Sequence, residues 1–301
     1  MAPRKYKKAP RSTAVDRIGD LPDEIVHHIL SFLPAQEAVR TSVLARRWRH
    51  LWRSATGLRI VGIEGADTVQ ELRQFVDHLL ILRGHAELHT FEIGISEFSQ
   101  EDVPYVNLWT RFAILCKVRS LTVHFCDNLF LDLYEPPLVS RHLRALDLEG
   151  VRLQGAFLDF TSCPALEDLK MKQSHIDLEK IVSRSLKRLS IIGCSSDMDY
   201  RISISTPSLI SLTLDGFHGK TPLLESMPWL ETAFVKLGSD CRDFCHNYEN
   251  GVFCGANDDA SCLKCLAYSD ERIKTVLLGA INNAKHLELI SPLEVVRTPL
   301  S

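Results

Sequence analysis

From residue 88 onward one arrangement of apolar positions keeps returning: apolar, two variable, apolar, one variable, apolar. It appears at Leu88-Phe91-Ile93, Val118-Leu121-Val123, Leu143-Leu146-Leu148 and Leu166-Leu169-Met171. It returns at Leu186-Leu189-Ile191, Leu209-Leu212-Leu214 and Leu230-Ala233-Val235. From Val118 the first positions lie 25, 23, 20, 23 and 21 residues apart. Alternation in the second half of each phrase predicts a short strand with one buried face. A strand of that kind cannot close a core alone, so a regular period predicts strands stacked side by side, each covering the next. An eighth phrase, Ala284-Leu287-Leu289, follows 54 residues after Leu230, about two periods late.

Periods of about 20 to 29 residues with this phrase are those of leucine-rich repeats, which stack into a curved parallel sheet. The expected solenoid runs over 88–301. Pieces such as Cys163-Pro164-Ala165-Leu166 and Thr206-Pro207-Ser208-Leu209 lead the chain into the next strand. Strand alternation turns the variable positions toward the concave side. Thr122, Asp147, Lys170, Arg188 and Thr213 are the candidates there for contacting a bound protein. Their neighbours Ser120, His124, Glu149, Asp168, Lys172, Ser190, Asp215 and Lys236 mix both signs, which favours neither an acidic nor a basic ligand. Plain solvation of that face is the competing reading.

Upstream the period becomes helical. Residues 68–82 place Leu72, Phe75, Val76, Leu79 and Leu80 on one face. They predict an amphipathic helix, within a linker over 55–87, that joins and caps the solenoid. Residues 16–54 predict three short helices. Asp20 is placed as an N-cap with Pro22 in the first turn, and Asp23 and Glu24 suit the helix dipole. Leu21, Ile25, Ile29 and Leu33 recur at intervals of four beside Val26 and Leu30, and Pro34 ends the helix. A second helix over Ala35–Leu44 carries Ala38, Val39, Val43 and Leu44. A third puts Trp48 and Trp52 four apart, with Arg46, Arg47, Arg49 and Arg53 on its other side. Roughly forty residues cannot bury so much apolar surface alone. Either a partner protein covers it or the downstream domain does. A helix-turn-helix reader with arginines on phosphates is opposed by the heavy apolar load.

The same stretch carries a resemblance. Leu21-Pro22, Ile29 to Pro34, Arg40 to Leu44 and Arg47 to Trp52 reproduce, in order, the elements of the plant F-box. Ala45 departs from it, standing where a serine usually begins the third helix. On these residues the chain resembles the plant, grass-type family of F-box/leucine-rich-repeat proteins. The resemblance implies an α+β repeat fold, a short three-helix F-box over 16–54 followed by a leucine-rich-repeat solenoid. It implies docking on a SKP-type adaptor and through it on a cullin, with the repeats holding an unknown protein substrate for ubiquitination. The implied adaptor contacts are Leu21, Pro22, Ile25, Ile29, Leu30, Val39, Val43, Leu44, Trp48 and Leu51, a set that overlaps the module's own core. It also implies that the chemistry belongs to the recruited E2 rather than to this chain. A repeat scaffold without ligase association and a nucleic-acid binder are the alternatives.

Composition changes this little. At 301 residues, 45% hydrophobic and 24% charged, the chain has the make-up of a folded protein with a sizeable core. A formal net charge of −3 gives no general attraction to nucleic acid or anionic membrane. No apolar run approaches the roughly 18 to 20 residues of a spanning helix, and MAPRKYKKAPRS lacks a secretory signal's apolar run. No membrane and no nucleic acid are expected as partners, and the expected location is the nucleus and/or cytoplasm. Residues 1–15 read as a disordered basic tail, with a nuclear-import patch as the alternative. No phosphate-binding glycine loop and no Ser/His/Asp or Cys/His order recommends catalysis. The chain stops soon after its last phrase, which reads as a shortened form.

Nine cysteines, an odd count, read mostly as thiols. Cys241, Cys245, Cys254, Cys262 and Cys265 fall in an insert over 240–266. The first and last pairs are sixteen residues apart, near a zinc-ribbon arrangement. Three residues rather than two separate Cys241 from Cys245, and no glycine follows either pair to form a knuckle. The insert is therefore read as holding no metal and the chain as needing no cofactor. Zinc analysis of the reduced protein is expected to return a stoichiometry near zero. One equivalent, lost on Cys262→Ser with Cys265→Ser, would overturn that reading.

Overall fold

The computed structural model describes residues 21–62, 68–95, 98–125, 130–133, 137–198, 201–241 and 281–290. The basic tail, Asp20 and the cysteine insert beyond Cys241 lie outside the described residues.

The chain opens with α1 (Asp23–Leu30), which starts directly after Pro22 with no side-chain cap. It stops at Leu30, earlier than Pro34 requires, where Ser31 Oγ donates to the His28 carbonyl at 2.6 Å. Pro34 instead stands as the N-cap of α2 (Ala35–Arg40). The expected second helix to Leu44 is α-helical only to Arg40 and tightens into a 3₁₀ turn over Thr41–Val43. The expected third helix is two 3₁₀ turns, Arg46–Arg49 and Leu51–Ser54, broken at His50. Ala45, extended at the start of this segment, offers no side-chain cap. A serine there would hold an orphan N–H, and short tight turns form where a longer helix is poorly nucleated.

The remaining elements are β1 (Gly57–Val61), α3 (Val69–Arg83), β2 (Thr90–Gly94), α4 (Val103–Leu115), β3 (Ser120–His124) and β4 (Leu131–Leu133). Then come β5 (Ala145–Glu149), β6 (Val151–Gln154), β7 (Asp168–Lys172), β8 (His175–Asp177), β9 (Lys180–Val182) and β10 (Arg188–Ile192). β11 (Ser203–Ser205), β12 (Ser211–Gly219), β13 (Leu223–Leu224), β14 (Thr232–Cys241) and β15 (His286–Ile290) follow. One nine-stranded sheet runs β1-β2-β3-β5-β7-β10-β12-β14-β15, with every neighbouring pair parallel. All eight phrases fall on its strands. Their second apolar positions form one ladder, Phe91, Leu121, Leu146, Leu169, Leu189, Leu212, Ala233 and Leu287, in direct register. Two small parallel sheets, β4-β6-β8 and β13-β11-β9, close the opposite side of the later repeats.

The division at residue 88 is corrected by β1. Residues 55–87 are not a linker, because Gly57–Val61 pairs residue for residue with Thr90–Gly94 and begins the sheet. The helix expected over 68–82 is α3, with Thr68 Oγ1 accepting from the Glu71 N–H at 3.2 Å. It is the crossover from β1 to β2, burying Leu72, Val76, Leu79 and Leu80 in the common core. The end of the sheet is covered instead by the N-terminal module. Its α2 packs on β1, Pro34 bridges Arg59, and Arg59 Nη1 donates to the Phe32 carbonyl at 2.8 Å.

The joint is completed by Arg83. Its buried guanidinium donates to the carbonyls of Trp52, Ala55 and Glu87, fastening the end of the module to α3. Burial pushes this guanidinium down to about 10, a measure of how unfavourable a cation is there without those carbonyls. Arg83→Ala would remove a donor from the Trp52, Ala55 and Glu87 carbonyls together and is expected to lower stability by about 2–4 kcal/mol in denaturant unfolding.

Gly150 turns the chain from β5 into β6 at φ +68, where a Cβ would lie 1.8 Å from the Phe125 carbonyl oxygen. Gly193 has a similar φ of +59, but its nearest neighbour would be 3.7 Å away. Gly193→Ala should therefore cost only the left-handed backbone penalty of about 1–2 kcal/mol. Gly150→Ala should cost clearly more in the same unfolding measurement, because the clash is with backbone.

Candidate functional site

Two surfaces are the candidates for contact. The first is on the N-terminal module. Val26 and Leu30, four apart on α1, face the core, while Ile25 and Ile29, one position earlier, are rotated away by a helix step and stand exposed. Val43 is 84% exposed and Leu44 70%, on and just after the 3₁₀ turn. Pro22 and Phe32 are exposed beside them in sequence. So many large apolar side chains in water on so small a module mark an interaction surface.

Of the ten expected adaptor contacts, Pro22, Ile25, Ile29, Val43 and Leu44 are exposed, and Leu21, Val39 and Leu51 are half-buried against the core. Leu30 and Trp48 are corrected. They are 1% and 6% exposed and belong to the hydrophobic core, so neither presents its side chain to a partner. Phe32 was missed, although its place in the Ser-Phe-Leu-Pro run outside the Val26/Leu30 stripe was a readable signal.

Arginines border this apolar face. Arg47 donates to the Leu21 carbonyl at 2.6 Å and to Asp23 at 2.5 Å, pinning the Arg46–Arg49 turn to the start of α1. Arg40 pairs with Glu37 at 2.5 Å. Arg46 and Arg49 are exposed, with no ion pair among the described residues.

The second surface is the concave side of the sheet. Register aligns Arg59, Glu92, Thr122, Asp147, Lys170, Ser190, Thr213 and Phe234 in one row across the strands. Four of the five expected contact residues, Thr122, Asp147, Lys170 and Thr213, thus stand in a single line, each half-buried. Arg188 is on the flanking row, hydrogen-bonded through Nε and Nη2 to both carboxylate oxygens of Asp168.

Opposite charges meet across the strands at Arg59–Glu92 (2.6 Å), Lys172–Glu149 (3.5 Å) and Lys236–Asp215 (3.6 Å). His124 Nε2 lies 3.4 Å from Asp147 Oδ1, an ion pair only when the imidazole is protonated. Burial alone would raise the Asp147 carboxyl. His124, Lys172 and Lys170 outweigh it and hold the carboxyl below the ordinary aspartate value. Two clefts open on this side. One, near the last strands, is lined by Ser211, Thr213, Thr232, Phe234, His286 and Glu288. The other lies at the joint, where His28, Ser31 and Phe32 of the module meet Arg59, His89 and Thr122 of the sheet.

The buried polar groups serve the fold. His175 Nδ1 is 2.8 Å from Ser195 Oγ, and its Nε2 is 2.8 Å from Asp177. These are the residue types of an acyl-transfer triad, but they lie along a strand-to-strand bridge. Ser195 N donates to the Ser174 carbonyl, and Ile176 N donates to the Ser195 carbonyl. Cys116, Cys163 and Cys194 are buried, and desolvation raises all three thiols, Cys194 to about 11. They sit as inert core side chains.

Comparison with known proteins agrees with this architecture. The F-box domain family matches residues 18–57. An FBD-associated F-box protein of Arabidopsis thaliana is 33% identical over 260 residues, covering 74% of this chain and 62% of the relative. An F-box/FBD/LRR-repeat protein of the same plant is 30% identical over 235 residues, covering 70% and 54%. An F-box/LRR-repeat protein is 28% identical over 253 residues, covering 73% and 82%. The chain thus spans about three fifths of the first of these relatives and about half of the second. No solved structure matches. An F-box at residues 18–57, a parallel repeat sheet behind it, and Arabidopsis relatives named for an F-box and leucine-rich repeats support a plant F-box/leucine-rich-repeat family for this chain.

Proposed function

We propose that this protein is the target-choosing subunit of a ubiquitin ligase of the SKP adaptor–cullin–F-box type. The F-box docks on the adaptor, and the concave side of the solenoid holds the protein to be ubiquitinated. The reading rests above all on Ile25, Ile29, Val43 and Leu44, left in water by a module that buries Val26, Leu30, Trp48 and Trp52 in the core shared with the solenoid. A repeat scaffold with no partner would gain nothing from that exposure.

F-box proteins of this kind are in general non-catalytic adaptors, and the contribution assigned here is proximity. A target lysine held near a ubiquitin-charged E2 reacts at a raised effective concentration. The bound target lies along the row of Thr122, Asp147, Lys170 and Thr213, flanked by Arg188. The ligase acts in the nucleus and/or cytoplasm, where adaptor and cullin would meet it.

The test is retention of a purified SKP-type adaptor. Val43→Ala with Leu44→Ala removes two exposed side chains, so unfolding should shift by less than about 0.5 kcal/mol. If each truncation removes about 1–2 kcal/mol of apolar burial, affinity for the adaptor should fall about 30-fold or more. Absence of adaptor binding by the unaltered protein would sink the reading and favour the scaffold.

A further inference from the structure

Within residues 21–54 five arginines stand against three carboxylates, although the whole chain carries −3. Two of the arginines are neutralised locally, Arg40 by Glu37 and Arg47 by Asp23. Arg53 lies over the Trp52 ring at 5.5 Å. Arg46 and Arg49 remain as exposed cations without an ion pair among the described residues. The Thr41–Val43 and Arg46–Arg49 turns pack against each other, and Val43 and Leu44 stand exposed beside them. Arg47 ties this turn to the Pro22 end of α1 by its bonds to the Leu21 carbonyl and Asp23. The cations are therefore held at the margin of the apolar face rather than scattered over the surface.

We propose that Arg46 and Arg49 are an electrostatic steering rim for the F-box's partner, whose docking face is an apolar patch bordered by carboxylates. This rests on the adaptor reading above and adds the chemistry of the surface that the adaptor must present. Rim charges act at a distance, through solvent, so they govern the rate of encounter. The apolar contacts of Ile25, Ile29, Val43 and Leu44 govern the lifetime of the complex. An apolar patch beside the cations favours a protein over a nucleic acid, whose phosphates would leave Val43 and Leu44 in water.

The experiment is association kinetics between the full chain and a purified SKP-type adaptor, for the unaltered protein, Arg46→Gln with Arg49→Gln, and Arg46→Glu with Arg49→Glu. At low ionic strength the association rate should fall about 3- to 10-fold in the neutral variant and about 10- to 100-fold in the reversed one. Dissociation should change less than about 2-fold. The difference should shrink severalfold at about 0.5 M salt, where the screening length is only a few ångströms. All three proteins should unfold alike.

Equal association rates across the series would overturn the rim while leaving the adaptor reading intact. So would a loss seen only as faster dissociation, which marks close contact rather than steering. Salt-sensitive retention of the unaltered chain on a short DNA duplex, lost in the reversed variant while adaptor kinetics stay unchanged, would assign the arginines to nucleic acid instead. Failure of the unaltered protein to bind any adaptor overturns both readings together.

Discussion

The strands of this solenoid bury their apolar side only by lying next to one another. Leu146 and Leu148 are covered by Leu121 and Val123 on one flank and by Leu169 and Met171 on the other, all at most 1% exposed. The same ladder is repeated from β1 to β14. Stability in such an array belongs largely to interfaces between repeats, so the array has a problem wherever a neighbour is missing. Among the described residues β15 is the last strand of the array, and its Leu287 and Leu289 are 47% and 41% exposed. At the near end Leu58 and Ile60 of β1 are buried because the F-box supplies the missing neighbour.

That role explains how the F-box is built. About forty residues of short helix and 3₁₀ turn close no core of their own, and Val26, Leu30, Trp48 and Trp52 join the core that runs on into the sheet. One helical face is spent on the solenoid and the adjacent one is left to water. The joint between them is stiff. Arg83 reaches three carbonyls, Arg59 reaches Phe32, and Gly57 approaches Ser31 so closely that a Cβ would meet its carbonyl oxygen at 2.5 Å. A docking face and a concave face joined in this way hold one relative orientation. On the proposed function, that orientation would set which part of a bound target faces the transferring enzyme.

Much of this was legible in the sequence. All eight phrases became strands of one sheet, because a two-residue alternation repeated at a near-constant period has few other solutions. The first strand was missed although Ala55-Leu58-Ile60 follows the same phrase. It opens on alanine, and α3 stretches the interval to Leu88 to 33 residues, outside the usual period. The small strands of the opposite side are two to four residues long, too short for any pattern to show. On the F-box the contact candidates were named without being sorted. Ile25 and Leu30 look alike in a list of apolar residues. Only the helix phase, fixed by Val26 and Leu30 meeting the core, separates the partner's side from the protein's own.

The concave face poses the opposite problem, since little of it is unpartnered. Glu92, Glu149, Asp168 and Asp215 each face a cation on a neighbouring strand. Exposed pairs of this kind contribute little stability, so a bound protein could exchange partners with them at small net cost. That arrangement gives weak attraction to any generic charged surface, because the field is cancelled at short range. It gives strong discrimination between surfaces, because a ligand must match several signs at once, and a mismatch sets like charges together. The middle row adds hydroxyls at Thr122, Ser190 and Thr213 and a ring at Phe234, groups that contribute at short range only. The two ends of the molecule thus differ in kind. The F-box offers bare apolar surface with cations at its margin, while the charges of the concave face are largely met by one another.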